Sequence, residues 1–227
     1  TGSLFHWKPD LEVFTDIDIP AEWYHETIKR QAVVNAGVQF VFRDETKQGV
    51  EETTYCYENG ILDYVNELTA ENAMTMPQFW QTERKGRDRT DKPEYKVKIS
   101  AALCFSATVN RIEYYHNSSF LEYGGAPEKA TRNAFVYAID AYLKQTGKYT
   151  KNESKITFQD VQDCLVLVTN CFSTRTSYEN QTKKAITNKF VQDAMTEFFR
   201  EKLQIYFIEN KQEADRIADQ VLVNKRS

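Results

Sequence analysis

Apolar and polar residues alternate most regularly between Glu94 and Phe105, in the stretch EYKVKISAALCF. Odd-numbered positions from Tyr95 onward are apolar or small, whereas even-numbered positions up to Ser100 are polar. A period of two residues is typical of a β-strand with one covered face and one wetter face. The run CLVLVTNCF, residues 164–172, lacks this alternation and predicts a strand that is buried on both faces.

Shorter alternating stretches predict further strands, each bounded by turn residues. They are residues 4–8, followed by a turn at Pro9 and Asp10, and residues 38–45, 51–57 and 111–116.

Apolar residues at helical spacing predict the helices. One follows Pro20 and ends at Asn35-Ala36-Gly37; others cover residues 61–68, 127–142 and a short segment after Thr157, where Asp160 completes a relative of the capping box. A stripe from Val191 to Val221 continues past Glu209-Asn210 and predicts one long C-terminal helix. The fold class is therefore α+β, with a mixed sheet covered by helices on one side.

Composition changes this picture little. The 227 residues are 41% hydrophobic and 27% charged, which is ordinary for a globular protein. A net charge of −4 argues against a chain-wide nucleic-acid surface but leaves room for a local basic patch. The apolar runs are far shorter than the ~18 residues of a membrane span, and the first ten residues lack the features of a signal peptide.

The four cysteines predict no metal or disulfide site. Cys56, Cys104, Cys164 and Cys171 show no CxxC spacing, and only three histidines are present. We expect reduced and mostly buried thiols, as in a cytosolic protein.

Motif searches reveal no self-contained active site, because the phosphate-loop, dinucleotide, zinc-protease and serine-hydrolase signatures are all missing. Gly124-Gly125 before a helix could bind an anion, although a tight loop is the preferred interpretation. The basic stretch TERKGRDRTDKPEYK, residues 82–96, is either a solvated hairpin tip or a phosphate-facing surface.

The segment TSYENQTKKAITNKFV, residues 176–191, has two interpretations. It is a polar loop that leads into a helix, or it presents Gln181 and Lys183 to an anion that belongs to another part of a larger protein.

Six segments, in order along nearly the whole chain, resemble the transducer domain of DNA gyrase B and of the corresponding ATPase subunit of topoisomerase IV. They are LFHWKPDLEVF (4–14), VVNAGVQFVFRDET (33–46), YENGILDYVNELT (57–69), EYGGAPEKA (122–130), ITFQDVQDCL (156–165) and YENQTKKAITN (178–188). The chain looks like a divergent member, since Asn180, Ala126 and Thr46 depart from the family pattern.

The resemblance implies the ribosomal-protein-like, left-handed βαβ fold of these domains. It implies a transducer domain over residues 1–186 and a C-terminal helical extension over residues 187–227, leading toward a TOPRIM domain that is absent here. In the family, a QTK sequence reaches the ATP pocket of the preceding GHKL-type domain. The match gives Gln181 and Lys183 contacts to the γ-phosphate, with Lys183 in a catalytic role.

For the intact protein, the resemblance implies ATP and Mg²⁺ as cofactors, a homodimer in the cytoplasm, and three kinds of partner. These are its own ATPase and TOPRIM domains, a gyrase A-like DNA-cleavage subunit, and double-stranded DNA. This chain alone is expected to bind no nucleotide and to be inactive. Candidate DNA-facing residues are Arg84, Lys85, Arg87, Arg89 and Arg132.

Two other functions stay open. A MutL-type mismatch-repair ATPase shares the two-domain plan, although its transducer lacks a segment like YENGI. A stand-alone nucleic-acid-binding or scaffolding module of the same fold is the alternative from a different class. The sequence does not distinguish gyrase from topoisomerase IV.

Overall fold

A computed structural model of the chain describes residues 1–46 and 48–227. Its elements are α1 (Ala21–Val34), β1 (Phe40–Asp44), β2 (Glu51–Tyr55), α2 (Ile61–Thr69), a 3-10 helix (Ala70–Asn72), β3 (Gln78–Gly86), β4 (Tyr95–Phe105), β5 (Arg111–His116), β6 (Ser119–Phe120), β7 (Gly124–Gly125), α3 (Ala126–Gln145), α4 (Phe158–Gln162), β8 (Leu165–Ser173), β9 (Ala185–Ile186), α5 (Lys189–Glu209) and α6 (Lys211–Arg226). None of the helices in the described part of the chain is long and apolar enough to cross a membrane.

A five-stranded sheet forms the centre, in the order β3-β4-β8-β5-β6. β4 pairs antiparallel with both β3 and β8, whereas β5 runs parallel to β8. The predicted α+β class and mixed sheet are confirmed. The alternation in β4 has the expected effect, since the side chains from Tyr95 to Phe105 at odd positions are all buried.

Helices cover both faces of this sheet, so the prediction of helices on one face is wrong. α3, α4, α5 and α6 bury the odd-numbered side of β4 in the larger core. On the other side, α1 and α2 cover Ala102 and Cys104 together with Val166 and Val168 of β8. The even-numbered positions of β4 change from lysine to apolar residues along the strand, and the second pair of helices covers the apolar end.

The predicted opening strand is also wrong. In residues 1–20, all of which are described, the chain forms no strand, and Leu4 and Phe5 are 84% and 81% exposed. The turn after it does form, because Val13 and Phe14 donate backbone hydrogen bonds to the Asp10 carbonyl. Alternation produces a strand only where a neighbouring edge supplies hydrogen bonds, and residues 4–8 meet no such edge.

Two helices replace the predicted single C-terminal helix. The helix is interrupted at Asn210 (φ −128°, ψ 63°), which lies between α5 and α6. The apolar stripe of α6 is buried in the larger core, against α4 and α3. A change of helix direction leaves the spacing of a buried stripe unchanged, so the pattern alone could not reveal the break.

Candidate functional site

Residues 174–187, here called the QTK loop, connect β8 to α5 as a narrow ribbon. Glu179 donates a backbone hydrogen bond to the Ala185 carbonyl (2.9 Å), and Thr187 donates one to the Ser177 carbonyl (2.8 Å). Tyr178 forms an antiparallel bridge with Ile186 between these bonds. The two limbs of the loop therefore support each other up to its tip, residues 180–183.

The tip is an exposed turn that is held by its own hydrogen bonds. The Asn180 side-chain oxygen accepts from the Thr182 backbone amide (3.1 Å) and from the Thr182 hydroxyl. Lys183 has a left-handed backbone (φ +57°) and donates its amide to the Asn180 carbonyl. Asn180 closes the turn and Lys183 takes the positive φ, so a tight tip forms without a glycine.

The two neighbouring lysines differ in their surroundings. Lys184 Nζ lies 2.5 Å from Glu122 Oε2, and this hydrogen bond raises the pKa of Lys184. Lys183 Nζ meets no carboxylate among the described residues and lies 5.8 Å from the centroid of the Tyr178 ring. The ammonium of Lys183 is therefore available to an external anion, whereas that of Lys184 is engaged on the surface of the chain itself.

The returning limb of the loop is seated on two glycines. β9 pairs in parallel with β7, which aligns Gly125 with Ile186. Gly125 has φ +80°, and a Cβ atom there would lie 2.2 Å from the Ile186 carbonyl oxygen. The Gly124-Gly125 pair thus permits close backbone approach, as the tight-loop interpretation expects.

The outgoing limb is anchored by His116 and Asn117 at the end of β5. His116 Nε2 lies 2.9 Å from Ser173 Oγ and 3.2 Å from Thr176 Oγ1. The Asn117 amide donates to the Ser173 carbonyl and to Thr176 Oγ1, both at 3.0 Å. Burial lowers the pKa of His116 to about 4. We refer to residues 173–178 and 185–188, with these contacts, as the root of the loop.

The sequence places His116 at the end of the predicted strand 111–116 but does not indicate its contact with the loop. The two are brought together because β5 and β8 end side by side in the parallel pair. His116 and Ser173 are 57 residues apart, so no local sequence pattern indicates their contact.

The candidate DNA-facing residues of the β3–β4 hairpin all lie beside carboxylates. Lys85 and Arg87 approach Glu94 at 3.4 and 3.2 Å, and Arg89 approaches Asp91 at 3.3 Å. These ion pairs are solvent-exposed, so a nucleic-acid phosphate would compete with weak partners.

The other two candidates lie against helices. Arg84 reaches across to α5, with nitrogen–oxygen distances of 3.4 Å to Glu197 and 2.9 Å to Glu201. Arg132 lies on α3, where it pairs with Glu128 at 2.9 Å and covers the Phe158 ring. The five basic residues therefore have different environments, and Arg84 links β3 to α5.

Three of the four cysteines are buried, as predicted, and Cys56 is exposed. Burial raises the pKa values of Cys164 and Cys171 to about 12. These two thiols pack in the larger core and stay protonated at neutral pH.

Comparison with known proteins identifies relatives of this chain. The family model for DNA gyrase B matches residues 60–227. Among curated proteins, the DNA gyrase B of Metamycoplasma arthritidis is 27% identical over 228 residues, and that of Mycoplasmoides gallisepticum is 25% identical over 219 residues. These alignments cover 100% and 95% of the chain but 35% and 34% of the relatives. The chain thus spans about a third of the length of these relatives.

Two solved structures share the fold. The 43K ATPase domain of Thermus thermophilus gyrase B gives a TM-score of 0.68 at 19% identity. The topoisomerase IV ATP-binding domain of Francisella tularensis gives 0.69 at 22% identity. In both cases the match covers 95% of this chain and 56% of the other, so each solved structure contains a large region with no counterpart here.

Proposed function

The chain belongs to the DNA gyrase B family, and on that premise we propose that it is the transducer region of an ATP-dependent type II DNA topoisomerase. In this proposal the QTK loop senses the γ-phosphate of ATP bound to a preceding ATPase domain. The observation that carries the proposal is the exposed Lys183 ammonium, presented without a carboxylate partner among the described residues, at the tip of a hydrogen-bonded ribbon. The DNA gyrase B match favours this function over a MutL-type ATPase.

The chemistry of the tip suits a terminal phosphate. A lysine ammonium is a compact point charge, and a glutamine amide adds a directed donor. The side chain of Gln181 forms no hydrogen bond within the described residues, so its amide is available to a ligand. Contacts that depend on the γ-phosphate would distinguish ATP from ADP and bias a conformational equilibrium.

ATP and Mg²⁺ would be held largely outside this chain. Among the described residues, no group of three or more His, Cys, Asp or Glu side chains is placed to hold a metal ion. The region of the solved ATPase structures without a counterpart here is the natural place for the nucleotide pocket. This chain would then contribute Gln181 and Lys183 to a site completed by another domain.

Domain closure would be relayed through the root of the loop to α5. A 21-residue helix is about 31 Å long and is stiff enough to carry a displacement. The relay would not continue along one straight helix, since the chain turns at Asn210 and α6 packs against α4. Both C-terminal helices share the larger core with the rest of the chain, so a boundary between residues 186 and 187 would separate two functions and not two independently folded units.

The remaining assignments complete the proposal. The βαβ unit formed by β5, α3 and β8 would have the left-handed crossover of transducer domains. In the intact enzyme the partners would be a second copy, a TOPRIM domain, a gyrase A-like cleavage subunit and duplex DNA. The DNA-facing surface would include the β3–β4 hairpin and Arg132, and the enzyme would act in the cytoplasm.

The test uses the full-length protein and the change Lys183→Ala. If Lys183 meets the terminal phosphate, its loss removes charge stabilisation in phosphoryl transfer and costs about 2.7–4 kcal/mol, or roughly 10²–10³ in hydrolysis rate. Gln181→Ala should cost less, because a neutral amide forms the weaker hydrogen bond. ADP affinity should barely change in either variant.

The matched control is Lys184→Ala, which removes the same charge one residue away. Its exposed pair with Glu122 contributes little, so hydrolysis should stay near the wild-type rate. Equal losses from Lys183→Ala and Lys184→Ala would reduce the loop to a general basic patch. An unchanged hydrolysis rate in Lys183→Ala would show that the loop is only a polar connection between β8 and α5.

A further inference from the structure

Asn188 precedes α5 at the N-cap position, yet its side chain does not cap that helix. An asparagine at this position ordinarily accepts a hydrogen bond from an amide in the first helical turn. Here its side-chain oxygen accepts from the Ser177 backbone amide at 2.7 Å. Asn188 is only 2% exposed, so a buried side chain at the start of α5 holds the outgoing limb of the QTK loop.

The missing cap is supplied by another element. Asp88, in the turn between β3 and β4, accepts the Phe190 backbone amide at 2.9 Å through Oδ1. A carboxylate at a helix N-terminus also interacts favourably with the helix dipole. The hairpin therefore caps α5, and Asn188 is free to hold the loop.

Tyr95 closes the arrangement. The Asn188 amide nitrogen donates to Asp88 Oδ2 at 3.2 Å and to the Tyr95 hydroxyl at 3.0 Å. The Tyr95 hydroxyl in turn donates to Asp88 Oδ1 at 2.7 Å. Three side chains from the hairpin, β4 and the helix start thus form one hydrogen-bonded ring.

Aromatic packing holds this ring in place. The Phe190 ring meets the Tyr95 ring edge-on, with centroids 5.2 Å apart. A Cβ atom at Gly86 would lie 2.3 Å from the Phe190 ring, so the hairpin approaches α5 as closely as a glycine allows. The loop root, the hairpin and α5 are therefore linked through contacts that leave little room for one to move without the others.

We infer that Asn188 is a positioning residue for the QTK loop, acting with Asp88 and Tyr95 to fix the orientation of the loop relative to α5. If the ring only stabilised the helix, Asn188 could cap its own first turn. Instead, Asp88 of the hairpin caps the first turn of α5, and Asn188 at the start of α5 holds the loop root. The first turn of α5 therefore depends on the hairpin, and the loop root depends on α5. The catalytic consequence rests on the proposed function of the loop, whereas the positioning itself rests on these contacts.

The test reverses the roles of the two side chains in the full-length protein. Asn188→Asp places two carboxylates against each other, and Asp88→Asn places two amide groups against each other, so either single change should loosen the root. In the double variant, the amide at position 88 can donate to the carboxylate at position 188. That carboxylate still accepts the Ser177 amide, so the double variant should restore the ring.

Hydrogen exchange of peptides covering residues 174–187 measures the positioning directly. Each single change should raise the exchange rate of these peptides roughly tenfold, and the double variant should return it close to the wild-type value. The control is Asn224→Asp on α6, where the Asn224 amide donates to the Asp160 carbonyl at 2.8 Å, remote from the loop. Faster loop exchange in this control, or no rescue in the double variant, would overturn the inference.

ATP hydrolysis separates this inference from the proposed function. Each single change should lower the hydrolysis rate roughly tenfold, with recovery in the double variant and unchanged ADP affinity. If Lys183→Ala is slow but both single changes hydrolyse ATP normally, the catalytic consequence of the positioning is wrong and the phosphate contact stands. If Lys183→Ala hydrolyses ATP normally, the proposed function fails, and hydrogen exchange still decides whether Asn188 positions the loop.

Discussion

The root and the tip of the QTK loop differ in burial and in the residues that hold them. At the root, His116 and Asn188 are almost fully buried, and each is bonded to the outgoing limb of the loop from a different element. At the tip, residues 180–183 are exposed and the turn is closed mainly by the Asn180 side chain. The root therefore fixes the shape of the loop, and the tip supplies the groups that would bind a ligand. Changes at the root should cost stability, and changes at the tip should alter binding while leaving the fold intact.

The largest loss of stability is expected from Gly125→Ala. The positive φ disfavours alanine, and the new Cβ would overlap the Ile186 carbonyl oxygen, which belongs to the backbone and cannot rotate away. Together these effects should cost roughly 3–5 kcal/mol of unfolding free energy. Urea denaturation of the purified chain measures the difference.

Gly147→Ala provides the matched comparison for Gly125→Ala. Gly147 also has a positive φ (+63°), but an added Cβ would meet nothing within 4 Å. Backbone strain alone should cost about 1–2 kcal/mol there. Similar losses in the two variants would show that close approach of β7 and β9 contributes nothing to the root.

Acid should weaken the root next. Because burial lowers the pKa of His116 to about 4, the folded state keeps this imidazole neutral while the unfolded chain protonates near pH 6.5. Stability is fully present above pH 6.5 and falls progressively as the pH drops from 6.5 to about 4, because over that range only the unfolded chain takes up the proton. This residue alone should make the protein roughly 2–3 kcal/mol less stable at pH 4.5 than at pH 7.5.

Urea unfolding at the two pH values, repeated with His116→Asn, isolates that contribution. The variant should show a smaller difference between pH 7.5 and pH 4.5, because it has no imidazole to protonate. His6→Gln is the control, since His6 is exposed and lies 3.6 Å from the exposed Glu45. An undiminished pH dependence in His116→Asn would show that burial of His116 does not cause the loss of stability in acid.

The smallest effect is expected at the tip. Gln181→Ala should change the unfolding free energy by no more than about 0.5 kcal/mol, since an exposed side chain with no hydrogen-bond partner among residues 1–46 and 48–227 contributes little. A thermal melt of the variant should overlay that of the wild type. A loss above about 1 kcal/mol would mean that the tip packs on the body of the chain, and the division between root and tip would fail.

Sequence alone predicts elements whose pattern is local. The two-residue period of β4 and the capping box of Thr157 and Asp160 both occur in the structure. Prediction failed where the outcome depends on distant partners: residues 4–8 alternate but meet no strand edge, and Ala102 and Cys104 are covered by helices from another part of the chain. The break at Asn210 left no trace in the apolar stripe.

The candidate site divides in the same way. Gln181 and Lys183 came from a contiguous resemblance, so one short segment was enough to name them. The hydrogen-bonded ring could not be predicted, because Asp88 and Asn188 are 100 residues apart and meet only in the folded chain. An asparagine before a helical pattern would have been assigned to its own helix cap, which is the bond that the structure replaces.

The break at Asn210 also determines how the chain would respond to mechanical load. A pull on Ser227 would first act on α6, whose end is tied to Glu153 by Lys225 and Arg226. Force would reach α5 both through Asn210, the single non-helical residue between the two helices, and through the direct packing of α6 on α5. Because the helix is interrupted at Asn210, tension applied along α6 would not act along the axis of α5, the helix that follows the QTK loop.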